Sequence, residues 1–162
     1  MKKRLNIAYG SNMDTAQMAW RCPGAKVVAK SWLHDHRLVF QGSERNAHAN
    51  VIPAEGYDVP VIVWEINEYD EMALDRYEGV RGGYYTKETM EIEVDGKMEE
   101  ALIYIMAPNP YGIPSDGYLE TIVSGYREFN LDIRILNEAV LHADRMAGNP
   151  RYGERLAQEA LM

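Results

Sequence analysis

The loop Tyr9–Asn12 is the first place in the chain where residue type and spacing suit chemistry. Residues 5–9 have strand character, and apolar residues at helical spacing begin at Met13. A strand that ends in small, turn-forming residues and leads into a helix leaves several backbone N–H groups without partners. Such groups, together with the positive end of the helix dipole, attract anions. The loop is therefore predicted to bind a carboxylate or an oxyanion, although junctions of this composition are also common as purely structural features.

Glu78 is the second candidate for chemistry, because it lies at the end of a predicted helix. The residue pattern predicts a helix that is capped by Asn67, runs to about Tyr77 and is ended by Gly79. The helix dipole disfavours a carboxylate at this end, and partial burial against Tyr77 and Val80 would act in the same direction. Both effects raise the pKa of the carboxyl group, which suits general acid–base catalysis near neutral pH. The alternative is a surface glutamate that precedes a capping glycine.

Short strands joined by tight turns are predicted for the middle of the chain, with helices beside and after them. The pair Asp95-Gly96 is typical of a type I′ hairpin turn. The order of elements favours an α+β fold, and short strands of this kind can close into a small barrel. Strands are predicted at 5–9, 25–40, 51–52, 61–66, 85–94 and 100–106, and helices at 67–77, at 116–146 with a break near Asn130, and at 154–161. The helix at 67–77 is predicted to bury Tyr69, Met72, Ala73 and Tyr77.

Composition predicts a single globular domain. With 162 residues the chain is sized for one domain, which we divide into a core at 1–147 and a C-terminal tail at 148–162. Apolar residues make up 46% of the sequence, which excludes a disordered chain. The net charge of −8 argues against a nucleic-acid partner. The single cysteine, Cys22, excludes an internal disulfide and fits a reducing cytoplasm.

The sequence does not predict a targeting or membrane segment. Residues 1–4 are basic like the start of a signal peptide, but residues 5–8 are too short for the apolar region that should follow. No apolar run approaches the length of a membrane span. Membranes are therefore not expected as partners, and the predicted location is cytoplasmic.

The loop and the Glu78 segment together resemble the gamma-glutamylcyclotransferase-like family. The opening signature of that family is similar to residues 8–13, and its second block is similar to Val63-Trp64 followed by residues 74–80. A third block is like residues 114–118 and continues into the helix beyond. These blocks occur in the family's order between residue 5 and about residue 140. The resemblance implies an α+β fold in which a small mixed β-barrel is flanked by α-helices.

The resemblance also implies a role for each matching position. Glu78 falls on the catalytic acid/base of the family, and the loop falls on the segment whose backbone N–H groups hold the glutamyl moiety. Met106 aligns with a position in the pocket wall, at the end of a strand. Substrate-binding roles are implied for seven residues, namely Tyr9, Gly10, Ser11, Asn12, Tyr85, Met106 and Tyr118.

The implied reaction needs few protein groups. In a γ-glutamyl amide the α-amine of the substrate attacks its own γ-carbonyl, which gives 5-oxoproline and a free amine or amino acid. Because the nucleophile belongs to the substrate, positioning supplies much of the rate acceleration. One glutamate can act first as base and then as acid, and loop N–H groups can stabilise the oxyanion. The implied partner is a small γ-glutamyl compound, no metal or other cofactor is implied, and a homodimer is compatible with the size and tyrosine content of the chain.

Other residues that could carry chemistry have simpler interpretations. Cys22 has no histidine near it in the sequence, and Ser11 lacks the flanking glycines of a nucleophile elbow. The segment His34–His36 offers two metal ligands on one strand face without a third. His48 and His142 stand alone and are interpreted as surface or core polar residues.

Three other functions stay open at the level of sequence. The first keeps the same chemistry but removes a protecting γ-glutamyl group from a metabolite. The second is a non-catalytic protein that binds small molecules in the same pocket. The third is an interaction module that uses only the scaffold.

Overall fold

A computed structural model describes residues 2–147 of the chain. The predicted helix at 154–161, and the tail at 148–162 that contains it, lie outside the described residues. The described elements, in chain order, are β1 (Lys3–Ala8), a 3₁₀ turn (Ser11–Met13), α1 (Thr15–Arg21), β2 (Lys26–Gln41), β3 (His48–Asn67), α2 (Glu68–Tyr77), β4 (Tyr85–Val94), β5 (Lys97–Met106), α3 (Asp116–Glu128) and α4 (Ile133–Met146).

One five-stranded mixed sheet forms the centre of the molecule, with strand order β2-β3-β1-β5-β4. Strand β1 lies in the middle, antiparallel to β3 and parallel to β5. The two edge strands, β2 and β4, approach each other: the Ser31 hydroxyl of β2 donates a hydrogen bond to the Glu93 carbonyl of β4 at 2.7 Å. The predicted α+β class is therefore confirmed, and the sheet curves so that its edges meet through this side chain.

The β4–β5 hairpin forms as the sequence predicted. Asp95 and Gly96 have φ values of 51° and 83°, the left-handed conformations that a type I′ turn requires. The predicted break in the last helical region is also confirmed, because α3 and α4 are separated at Asn130, where φ is 54°. Strand β3 is longer than predicted, since it runs without interruption through Pro53 and Pro60.

The buried face of α2 differs from the prediction. Tyr69, Met72 and Tyr77 are 69%, 55% and 46% exposed, which contradicts the prediction. Ala73 is buried as predicted, together with Asp70 and Leu74. Asp70 tolerates burial because its carboxylate accepts hydrogen bonds from the backbone N–H groups of Asn67 and Gly24. The hydrogen bonds to the Asp70 carboxylate therefore allow α2 to turn Asp70 toward the interior, and its buried face differs from the one that the spacing of apolar residues predicts.

The connection between β1 and α1 also differs in detail from the prediction. A 3₁₀ turn comes first, and α1 begins only at Thr15, where the Asp14 carboxylate caps it by accepting a hydrogen bond from the Gln17 N–H. Helix α3 packs closely on this turn at Gly125, where an added Cβ atom would lie 3.0 Å from the Cβ atom of Met13. This close contact fixes the loop at the end of β1. Within residues 2–147, no helix is long and apolar enough to cross a membrane.

Candidate active site

A cavity of about 210 Å³ opens where the end of β1, the end of α2 and the start of β3 converge. Parts of β4, β5 and α3 complete its wall. The structure thus brings together segments that are far apart in the sequence. Seven of the eight predicted site residues line this cavity, namely Tyr9, Gly10, Ser11, Asn12, Glu78, Tyr85 and Tyr118.

Met106 is the predicted site residue that the structure places elsewhere. It is 2% exposed, belongs to the hydrophobic core and does not line the cavity. Its backbone N–H and carbonyl pair with the side chain of Asn50, each at 2.9 Å, so that the strand end is held against β3. Tyr104, two residues earlier on β5, lines the cavity in its place.

The loop at the end of β1 has the form expected of an anion site. Within residues 2–147, the backbone N–H groups of Ser11 and Asn12 have no hydrogen-bond partner. The Asn12 carbonyl accepts a hydrogen bond from the Trp64 indole at 3.0 Å, which fixes the loop from β3. At Gly10 an added Cβ atom would lie 3.1 Å from Ala49, so the close packing of the loop on β3 favours glycine.

Helix α2 ends in a Schellman motif that positions Glu78. The Val80 N–H donates to the Asp75 carbonyl and the Gly79 N–H donates to the Arg76 carbonyl, both at 3.1 Å. Gly79 has φ of 61°, the left-handed conformation that ends the helix there, as predicted. Glu78 is thereby held at the helix terminus, with its side chain in the cavity wall.

Glu78 belongs to a hydrogen-bonded chain of three side chains. The Asn12 amide donates to Oε1 of Glu78 at 3.1 Å, and Arg21 donates to Oδ1 of Asn12 at 2.8 Å. The Arg21 guanidinium also lies over the Tyr77 ring, 4.6 Å from its centroid. Burial raises the pKa of Glu78 to about 7, although the Arg21 charge and the Asn12 hydrogen bond both act to lower it. A carboxyl group with this pKa can both accept and donate a proton near neutral pH.

Two buried tyrosines, Tyr9 and Tyr85, and the partly buried Tyr118 shape the deep wall. Tyr9 donates to the Tyr104 carbonyl at 2.5 Å, and Tyr85 donates to the Ala49 carbonyl at 2.7 Å. The Tyr118 hydroxyl instead accepts from the Ala49 N–H at 3.0 Å, so its own proton is free to be donated into the cavity. Burial raises the pKa of all three phenols, which keeps them neutral at physiological pH.

Sequence reasoning missed His48 as a wall residue. Its Nδ1 lies 3.0 Å from the Tyr84 hydroxyl, and its ring packs edge-on against the rings of Tyr84 and Tyr118. Burial lowers its pKa, which favours the neutral imidazole. The sequence carries no local signal for this placement, because Tyr84 and Tyr118 are distant in the chain. The other wall residues not foreseen include Asn6, Arg21, Tyr77, Tyr84 and Tyr104.

The remaining candidates from the sequence lie outside the cavity wall. Cys22 is buried, and burial raises its pKa to about 12, which disfavours a thiolate. His34 pairs with Asp58 at 2.7 Å, and Nδ1 of His36 lies 2.8 Å from the His34 carbonyl. Among residues 2–147, no group of three or more histidine, cysteine or acidic residues is arranged to hold a metal ion.

Comparison with known proteins identifies the family. The family model described as "Gamma-glutamyl cyclotransferase, AIG2-like" matches residues 7–125, which is more than half of the chain. The chain belongs to this family. The family that the loop and the Glu78 segment predicted is therefore confirmed.

Individual relatives agree with the family model. The protein named gamma-glutamylcyclotransferase from Homo sapiens is 30% identical over 139 residues, which cover 80% of this chain and 73% of the human protein. Its counterpart from Mus musculus is 34% identical over 137 residues, covering 78% and 72%. A solved structure described as gamma-glutamyl cyclotransferase superposes with a TM-score of 0.77 at 26% identity, covering 85% of this chain and 86% of that one.

Proposed function

We propose that the chain converts a γ-glutamyl amine or γ-glutamyl amino acid into 5-oxoproline and releases the free amine, with Glu78 as the general acid/base. Glu78 carries the proposal, because it lies in the cavity wall beside the loop at the end of β1 and its pKa is about 7. The partner is a small γ-glutamyl compound. We place the reaction in the cytoplasm, since the one cysteine is a buried free thiol.

The loop at the end of β1 binds the glutamyl group in this proposal. The unpaired N–H groups of Ser11 and Asn12 supply donors for a carboxylate or for the oxyanion of the tetrahedral intermediate. The free hydroxyl proton of Tyr118 is a further donor from the deep wall. Tyr9 and Tyr85 shape that wall, since their own protons are already donated to backbone carbonyls.

The proton path needs only Glu78. The carboxylate form accepts a proton from the α-ammonium group, and the freed amine attacks the γ-carbonyl, forming the new C–N bond of the five-membered ring. The carboxylic acid form then donates that proton to the departing nitrogen as the original amide C–N bond breaks. The regenerated carboxylate accepts the second proton from the new ring nitrogen, which leaves the neutral lactam, and passes that proton to the released amine. A group that performs both steps must exchange its proton near working pH, which a pKa of about 7 provides.

Release of 5-oxoproline, measured by mass spectrometry from a panel of γ-glutamyl amines and amino acids, tests the proposal. Wild type should release it, and Glu78→Gln should lose on the order of 100-fold or more of that rate, the usual contribution of a general acid/base. Glu88→Gln is the matched control, because Glu88 is exposed on β4 outside the cavity wall. Circular dichroism should show the same fold in all three proteins.

The same panel separates the other functions. A wild-type rate retained by Glu78→Gln would refute the assigned role. Silence of the wild type across the panel, with binding of glutamate or 5-oxoproline, would instead indicate a non-catalytic binding protein.

A further inference from the structure

The cavity is too small to enclose a whole γ-glutamyl compound with a sizeable leaving group. Its volume of about 210 Å³ is below the roughly 300–1,000 Å³ of typical small-molecule sites. The loop N–H groups and Glu78 place the glutamyl part inside it. The leaving group must therefore project through the cavity mouth and contact the surface outside.

An exposed aromatic surface, formed by Trp20 and Tyr77, adjoins this mouth. Tyr77 lines the cavity and is still 46% exposed, so its ring continues from the wall onto the surface. Trp20 on α1 is 77% exposed, and its ring centroid lies 6.4 Å from that of Tyr77. A large aromatic side chain with so little packing is a surface that gains free energy when a ligand covers it.

The opposite side of the mouth offers less free surface. Tyr84 is 44% exposed, but its hydroxyl already pairs with His48 and its ring packs on both His48 and Tyr85. On the other side of the mouth, Arg21 lies over the Tyr77 ring and holds that ring in place. The neighbouring Trp20 ring is largely exposed and can contact a ligand. Both Tyr77 and Tyr84 line the cavity, so the difference between the two sides is the largely exposed Trp20 ring beside Tyr77, which favours that side.

We propose that Trp20 and Tyr77 form a binding site for the leaving group, and that the preferred leaving group is an amine or amino acid that carries an aromatic ring. This inference rests on the proposed cyclotransferase function and specifies its substrate class. An aromatic ring would pack against the exposed indole and phenol rings, and a small aliphatic leaving group would not reach them.

A selectivity ratio tests the site. The ratio is kcat/KM for γ-glutamylphenylalanine divided by kcat/KM for γ-glutamylalanine, both measured by 5-oxoproline release. Wild type should favour the aromatic substrate, and Trp20→Ala should lower the ratio by roughly three- to tenfold, the range for an aromatic pair. Trp20→Phe should retain most of it. Trp32→Ala is the matched control, because Trp32 is 44% exposed on β2 outside the cavity wall and should leave the ratio at its wild-type value.

A binding measurement keeps this test independent of turnover. Titration calorimetry of both compounds with Glu78→Gln, alone and combined with Trp20→Ala, should show the same preference as a ratio of Kd values. An unchanged ratio in Trp20→Ala, or no preference for the aromatic compound in either measurement, would overturn the site. Absence of turnover together with a Trp20-dependent Kd ratio would refute the cyclotransferase function and support the aromatic site.

Discussion

At the scale of single residues, the acidity of Glu78 results from opposing effects. Burial raises its pKa, and the Arg21 charge and the Asn12 amide partly reverse that effect, with a net value of about 7. Arg21 is not hydrogen-bonded to Glu78: it orients the Asn12 carboxamide that donates to Oε1, and its charge favours the carboxylate form from a distance. Arg21 is therefore a positioning residue whose removal should change proton transfer more than glutamyl binding.

We predict that Arg21→Gln raises the pKa of Glu78 further, because a charge that favours the carboxylate is lost. Glu78 must be deprotonated to accept the first proton, so kcat/KM rises with pH through the pKa of Glu78 in the wild type. The acidic limb of the pH profile should move to higher pH in Arg21→Gln, and kcat/KM at pH 7 should fall by roughly tenfold.

Two further variants isolate the effect of charge. Arg21→Lys should restore most of the wild-type profile, and Arg81→Gln should not change it, because Arg81 is exposed outside the cavity wall. A pH profile that is the same for Arg21→Gln and wild type would show that Arg21 has no influence on the acid/base.

At the scale of elements, the limits of α2 were predictable and its orientation was not. Asn67 and Gly79 act through local backbone hydrogen bonds, which a short sequence window contains. The buried face of the helix depends on Asp70, whose carboxylate is satisfied by Gly24, 46 residues earlier. A contact at that distance has no signature in the apolar pattern, and the prediction that Tyr69, Met72 and Tyr77 are buried is therefore wrong.

The Schellman motif at the end of α2 leads to a second prediction. Gly79→Ala should destabilise the fold by about 1–2 kcal/mol, because φ of 61° strains an L residue and the new Cβ atom would lie 3.1 Å from Cβ of Tyr84. Gly82→Ala is the control in the same turn, where the nearest atom to an added Cβ is 3.7 Å away. Urea denaturation measures both, and equal stability of the two variants would contradict the assigned role of Gly79.

At the scale of the molecule, the site combines residues that only the tertiary fold brings together. The sequence predicted Glu78 and the loop because each belongs to a short motif. His48, Arg21 and Tyr84 carry no such motif. His48 is placed by the pairing of the start of β3 with β2, Arg21 by the packing of α1 beside α2, and Tyr84 by the turn after α2, in which its N–H donates to the Gly79 carbonyl. Met106 lies on the same side of β5 as Tyr104, two residues further along the strand, and the sequence alone did not specify which of these two positions borders the cavity.

Because the cavity exists only when its distant segments are in place, a ligand that fills it should stabilise the whole fold. At 100 times its Kd, 5-oxoproline should add about 2.7 kcal/mol to the free energy of unfolding, or roughly 5–10 °C in Tm for a chain of this size. Proline is the matched control ligand, because it has the same ring and carboxylate without the carbonyl that the loop N–H groups would bind.

Two unfolding probes show whether the ligand stabilises the whole molecule or only part of it. Tryptophan fluorescence reports the surroundings of Trp20, Trp32 and Trp64, on α1, β2 and β3, whereas far-UV circular dichroism reports all the helices and strands. Both transitions should shift together with 5-oxoproline and move much less with proline. A shift confined to one probe would mean that the ligand stabilises only part of the fold, and equal shifts with both ligands would mean that the loop N–H groups do not recognise the carbonyl.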